Sequence, residues 1–129
     1  MNPSGALAGW CRALLIVPAL LLCACEPEAT NVRTISGGDE EQGHRLIAAI
    51  KCGVCHIVPG VDGARGVVGP SLEQFGERQL IGGVLPNDPA TLAKWVRDAP
   101  SLIPDTGMPS LPLDAAQSRD IAAYLYTLR

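Results

Sequence analysis

Three stretches of the chain repeat their apolar positions with the period of an α-helix. Gly43, Leu46, Ile47 and Ile50 recur at i, i+3, i+4 and i+7, and Asp39, Glu40 and Glu41 stand at the start, where the helix dipole favours acids. Leu92, Trp95, Val96 and Ala99 repeat the spacing, opened by Asp88 as N-cap and Pro89 at the first helical position; this helix ends ahead of Pro100. Ile121, Tyr124, Leu125 and Leu128 repeat it once more, with Asp114 and Gln117 spaced as a capping box. No alternating apolar/polar run is long enough to require a sheet. The pattern predicts an all-α domain with three main helices.

The N-terminal pattern is different. Residues Met1 to Arg12 carry one positive charge and precede the apolar run Ala13 to Leu22, which is too short to span a bilayer and reads as the hydrophobic part of a signal peptide. Leu22-Cys23-Ala24-Cys25 resembles the lipobox of bacterial lipoproteins. That resemblance implies cleavage after residue 24, a lipid on Cys25 and a place on the periplasmic side of a bacterial membrane. Ordinary cleavage near Ala24 or an uncleaved anchor are the other readings. A diacylglycerol plus an N-acyl chain exceeds what stable anchoring requires. From Glu26 to Gly38, Pro27, Thr30, Ser36, Gly37 and Gly38 break any apolar period. The segment reads as a flexible tether spanning about 20 Å on average. Residues 1–24 are thus the expected signal, 25–38 the lipidated Cys and tether, and 39–129 one small domain.

The first helix delivers the chain to Cys52-Gly53-Val54-Cys55-His56, the attachment signature of a c-type haem. Two thiols three positions apart can each add to a haem vinyl group, and the adjacent imidazole can ligate the iron. Structural zinc usually draws on a second Cys pair, which this chain lacks, and a thioredoxin-like motif needs a βαβ setting. Met1 and Met108 are the two methionines. Met108 sits in Ile103-Pro104-Asp105-Thr106-Gly107-Met108-Pro109, a stiff loop suited to hold a second iron ligand, and His/Met ligation raises the potential relative to His/His. His44, the only other histidine, falls at a polar helix position and reads as solvated; bis-His ligation through it is the weaker alternative.

Five cysteines fit this division without remainder: Cys11 and Cys23 leave with the signal, Cys25 carries lipid, and Cys52 and Cys55 carry haem. No thiol is left for a disulfide. Haem attachment needs reduced thiols outside the cytoplasm. Losing residues 1–24 removes only Arg12 and moves the net charge from −3 to −4, which gives no footprint for nucleic acid. A domain of roughly ninety residues buries a marginal core by itself, and a haem packed inside would supply the missing apolar surface.

From Gly43 to Leu128 the chain resembles the class I cytochromes c. Gly69-Pro70-Ser71-Leu72 is similar to the family's Gly-Pro-x-Leu segment. The resemblance implies that the Pro70 carbonyl accepts a hydrogen bond from the His56 imidazole, fixing its orientation and basicity. It also places Arg78 and Thr106 near the haem propionates, Trp95 on the Met108 side of the ring, and Gly43 with Tyr124 where the first and last helices cross. Asp105, Lys51 and Ile47 depart from the family's Gly, Gly and aromatic. The stretch Arg78 to Asn87, with Leu92, Trp95 and the Met108 loop, resembles more narrowly the cytochrome c domain fused to subunit II of bacterial haem-copper oxidases. The fold so implied is a small class I cytochrome c fold wrapped round one covalent haem c, with His56 and Met108 as iron ligands.

The function implied is that of an electron carrier and not an enzyme, with an upstream quinol–cytochrome c reductase or cytochrome as donor and a terminal oxidase as acceptor. No small-molecule substrate and no catalytic residue are expected. Two other classes remain: a haem enzyme or ligand sensor with a labile sixth ligand, and a structural haem subunit of an oxidase complex.

Overall fold

A computed structural model describes residues 32–129; Cys11, Cys23, Cys25 and the expected signal lie outside them. Helix α1 spans Glu40–Ala49, and its N-cap is Asp39, whose carboxylate accepts from the Gln42 amide at 2.8 Å. Helix α2 spans Pro89–Asp98; the Asp88 carboxylate caps it by accepting from the Ala90 and Thr91 amides. Those bonds hold the Asp88 carboxyl below its ordinary value. Helix α3 spans Ala115–Thr127 and opens with the expected capping box: Asp114 accepts from the Gln117 amide while the Gln117 side chain accepts from the Asp114 amide. Short 3-10 turns at Cys52–Val54, Phe75–Glu77 and Ala99–Ser101 link these helices to the loops.

One small sheet joins the helices. Strands β1 (Leu80–Ile81) and β2 (Leu85–Pro86) pair antiparallel, with Leu80 opposite Pro86 and Ile81 opposite Leu85. Gly82 and Gly83 turn the chain between them at φ of 56° and 79°, a left-handed region that glycine enters at little cost. Two residues per strand are too few to show an alternation in the sequence.

α3 is the hub, packing against both α1 and α2. Ile47 from α1, Ile81 from β1, Leu92 from α2 and Ile121 from α3 are the large fully buried side chains, and they meet in one core. The α1–α3 crossing turns on Gly43, where a Cβ would run into the Asp120 carbonyl and approach the Ile121 nitrogen to 3.0 Å. Gly43 therefore makes room for the α3 backbone at the crossing. Tyr124, one turn further on, donates its hydroxyl to the Pro59 carbonyl at 2.6 Å and packs its ring 5.1 Å from that of His44. The solvated reading of His44 is corrected. It is half-buried, with Nε2 bonded to the Gly60 carbonyl at 2.8 Å, so it pins the 59–60 loop.

The end of the expected tether lies on the domain. Ile35 packs against the core, and the Arg33 guanidinium bonds to the Gly76 and Arg78 carbonyls. Among the described residues no helix is long and apolar enough to cross a membrane.

Candidate functional site

The chain leaves α1 through Lys51, which takes a left-handed conformation (φ 61°, ψ 43°). A side chain there costs about 1–2 kcal/mol of backbone energy that glycine avoids. This is the physical content of the Lys51 departure: the turn keeps its shape and loses some stability. The amides of Val54, Cys55 and His56 then bond to the carbonyls of Lys51, Cys52 and Cys52 at 3.0, 3.1 and 2.9 Å. Two thiols and an imidazole are thereby gathered on one turn. The loop that follows clamps this turn through Gly66 N–H to Gly53 O at 2.9 Å and Gly69 N–H to Cys55 O at 2.8 Å.

Cys52, Cys55 and His56 all line one cavity of about 320 Å³. Its other walls are chiefly apolar and come from all three helices, the β hairpin and the Met108 loop, with Leu72, Phe75, Ile81, Leu92, Val96 and Leu125 among them. Both cysteines are free. Burial pushes the Cys52 thiol up to about 11, with a smaller push from the neighbouring Cys55. It is therefore the neutral thiol at neutral pH. Among the described residues no group of three or more His, Cys, Asp or Glu side chains is placed to hold a metal ion.

His56 Nδ1 lies 2.7 Å from the Pro70 carbonyl. A carbonyl only accepts, so Nδ1 carries a proton, and in the neutral ring this leaves the lone pair on Nε2. Among the described residues Nε2 has no hydrogen-bond partner. Gly69 fits closely against the ring: a Cβ there would fall 2.7 Å from Nδ1 and 3.0 Å from Nε2. The imidazole thus has a fixed plane and tautomer, as a metal-ligating histidine requires.

Met108 lines the same cavity. Its loop is tied at both ends to α2 and the turn that follows it: Ile103 N–H bonds to Ala99 O at 3.0 Å, Leu111 N–H to Arg97 O at 2.9 Å, and the Ser110 hydroxyl to the Asp98 carboxylate at 2.6 Å. The hydroxyl holds the Asp98 carboxyl below its ordinary value. Between these ties, Thr106 Oγ1 accepts from the Met108 amide at 3.3 Å. Asp105 is exposed, so its departure from glycine meets no packing.

Trp95 and Arg78 complete the wall. The Trp95 ring edge lies 3.2 Å from where a Cβ on Gly82 would stand, so the hairpin turn closes on it. Arg78 stacks its guanidinium 5.5 Å over the Phe75 ring and donates from Nη2 to the Ser71 and Glu73 carbonyls at 2.5 and 3.0 Å. All eight residues expected at the site, Cys52, Cys55, His56, Pro70, Arg78, Trp95, Thr106 and Met108, border the cavity; His44 does not.

Sequence reasoning missed Asn87, which is 4% exposed. Its Nδ2 donates to the Arg78 carbonyl at 2.9 Å and its Oδ1 accepts from the Tyr126 hydroxyl at 3.1 Å. Burial pushes the Tyr126 hydroxyl up to about 12. An Asn just ahead of a helix cap reads as turn chemistry, and nothing local marks its partner.

A haem fits what is present. The cavity is apolar and reached by two thiols, and the donor set of one unpaired imidazole nitrogen and one thioether is that of a low-spin haem iron.

Comparison with known proteins agrees with this geometry. The sequence profile of the cytochrome c family matches residues 40–129. Cytochrome c oxidase subunit 2 of Alkalihalophilus pseudofirmus is 35% identical over 89 residues; the match covers 68% of this chain and 25% of that protein. The chain thus spans about a quarter of the length of that relative. Among solved structures, cytochrome cH from Methylobacterium extorquens superposes with a TM-score of 0.50 at 26% identity, over 70% of this chain and 99% of that one.

Proposed function

Because this chain belongs to the cytochrome c family, a family of electron carriers with covalently bound haem c, we propose that it passes single electrons along a bacterial respiratory chain to a terminal haem-copper oxidase, held by a lipid on Cys25 at the periplasmic side of the membrane. The observation that carries this reading is the His56 Nδ1 to Pro70 bond with Nε2 left unpaired beside a cavity that Met108 also lines. Two strong ligands leave no position for a substrate, which favours electron transfer over catalysis or ligand sensing. Haem c supplies one-electron iron chemistry when bound.

The chain's own residues do the rest. Cys52 and Cys55 would fix the cofactor through thioether links to its vinyl groups. His56 and Met108 would both hold the iron, so that gaining or losing an electron moves few atoms. Pro70 and Gly69 keep the imidazole in place. Thr106 steadies the methionine loop. Val54, Val67 and Val68 are 66%, 83% and 83% exposed beside the attachment turn, and a small apolar face there suits a brief contact with a redox partner.

The likeness to an oxidase subunit supports an oxidase as acceptor. The test is to add reduced, haem-loaded full-length protein to membranes containing such an oxidase. The expected result is cyanide-sensitive reoxidation with matching oxygen uptake, and a Cys25→Ala form that still donates but leaves the membrane fraction. Reoxidation that ignores cyanide would remove the oxidase from the proposal, and a membrane-bound Cys25→Ala form would remove the lipid.

A further inference from the structure

Residues Val32 to Asp39 precede the cytochrome c match at residue 40, yet they form a strap across the domain. The Asp39 amide donates to Asp120 on α3 at 2.9 Å, and Gly38 lies so near α3 that a Cβ would come 2.9 Å from both Ala123 Cβ and the Arg119 carbonyl. Ile35 packs on the core. The strap ends in a fork: Arg33 Nη1 donates to the carbonyls of Gly76 and Arg78 at 2.9 and 3.0 Å, and Nη2 donates to the Gln79 side chain at 3.1 Å.

The segment that Arg33 grips is the one that aims Arg78. Its carbonyl is held by two donors, Arg33 Nη1 and Asn87 Nδ2, the latter steadied by Tyr126. Its guanidinium lies along the cavity wall, anchored through Nη2, while among the described residues Nε and Nη1 make no hydrogen bond. Those free donors suit the carboxylates at the anionic edge of a haem.

We propose that Arg33 is a positioning residue of the haem pocket: by clamping the Arg78 backbone from outside the family domain, it holds the Arg78 guanidinium where it raises the haem potential. This rests on the haem reading of the site. A positive charge kept at the pocket edge opposes the more positive oxidised iron, so loosening Arg78 lowers the potential. A planar fork is needed to bind two carbonyls and an amide oxygen together, which a lysine ammonium, a point charge on a flexible stem, cannot reproduce.

The test compares full-length, haem-loaded wild type with Arg33→Ala, Arg33→Lys, Arg78→Ala and the Arg33→Ala/Arg78→Ala double variant, by redox titration and amide hydrogen exchange. Arg33→Ala is expected to lower the midpoint potential and to speed exchange at the Arg78 and Asn87 amides about tenfold, with α1 amides unchanged. Arg33→Lys, which keeps the charge and loses the fork, shows most of the same shift. In the Arg78→Ala background, Arg33→Ala moves the potential no further. A wild-type potential in Arg33→Lys, additive shifts in the double variant, or unaltered exchange at Arg78 would each overturn the proposal. Neither readout involves an oxidase, so failure of the partner assignment leaves this result standing.

Discussion

Cys52→Ser combined with Cys55→Ser is expected to yield a chain that retains no haem after denaturation and shows no cooperative unfolding transition. The cavity that both thiols reach is about 320 Å³ and chiefly apolar. Leaving such a void open costs about 8 kcal/mol at the roughly 24 cal/mol per Å³ measured for engineered cavities. Small domains possess only about 5–15 kcal/mol of stability in total. Water could fill the space, but its walls offer few polar partners, so the helices would close on each other instead. Ile47, Leu92 and Ile121 would then lose the packing that makes them the fully buried centre of the core. Haem-specific staining after denaturing electrophoresis, together with a thermal scan, checks both halves. A double serine variant that unfolds cooperatively without haem would show that the core stands alone.

Gly43→Ala is the next largest effect, and it acts far from the attachment turn. The added methyl would stand 2.5 Å from the Asp120 carbonyl carbon, closer still to its oxygen, and 3.0 Å from the Ile121 nitrogen. These atoms belong to the hydrogen-bonded backbone of α3 and cannot swing aside as a side chain would. Overpacking of this kind costs about 1–3 kcal/mol even where neighbours yield. Here the α1–α3 crossing must open, so about 3 kcal/mol or more is expected. In a domain of this size that lowers Tm by about 12 °C or more. A melting temperature for Gly43→Ala equal to that of the wild type would refute the crossing as the fold's tight point.

What could be read from the sequence was local. Asp88 and the Asp114–Gln117 pair announce their helices because an N-cap contacts amides two or three residues away. The attachment turn is legible for the same reason, and all eight expected site residues do border one cavity. What escaped depends on distant partners. Asn87 meets Tyr126 across 39 positions, and Arg33 meets Arg78 across 45. His44 looked solvated because its helical position is polar, yet a loop 16 residues later folds over it. Gly43 was placed at the right crossing, but the α3 backbone of Asp120 that it meets is distant in sequence and leaves no mark in local spacing. The β1–β2 hairpin is too short to leave a period-two pattern.

The central claim, that one imidazole and one thioether close the iron, is tested most directly by the absorption spectrum of the oxidised, haem-loaded protein and of Met108→Ala. Methionine sulfur on ferric haem gives a weak band at the red edge of the visible spectrum. The expected result is that band in the wild type and its loss in Met108→Ala, with carbon monoxide binding to the reduced variant and not to the reduced wild type. A wild type that lacks the band and binds carbon monoxide readily would contradict His56/Met108 ligation and turn the reading toward a haem enzyme or ligand sensor.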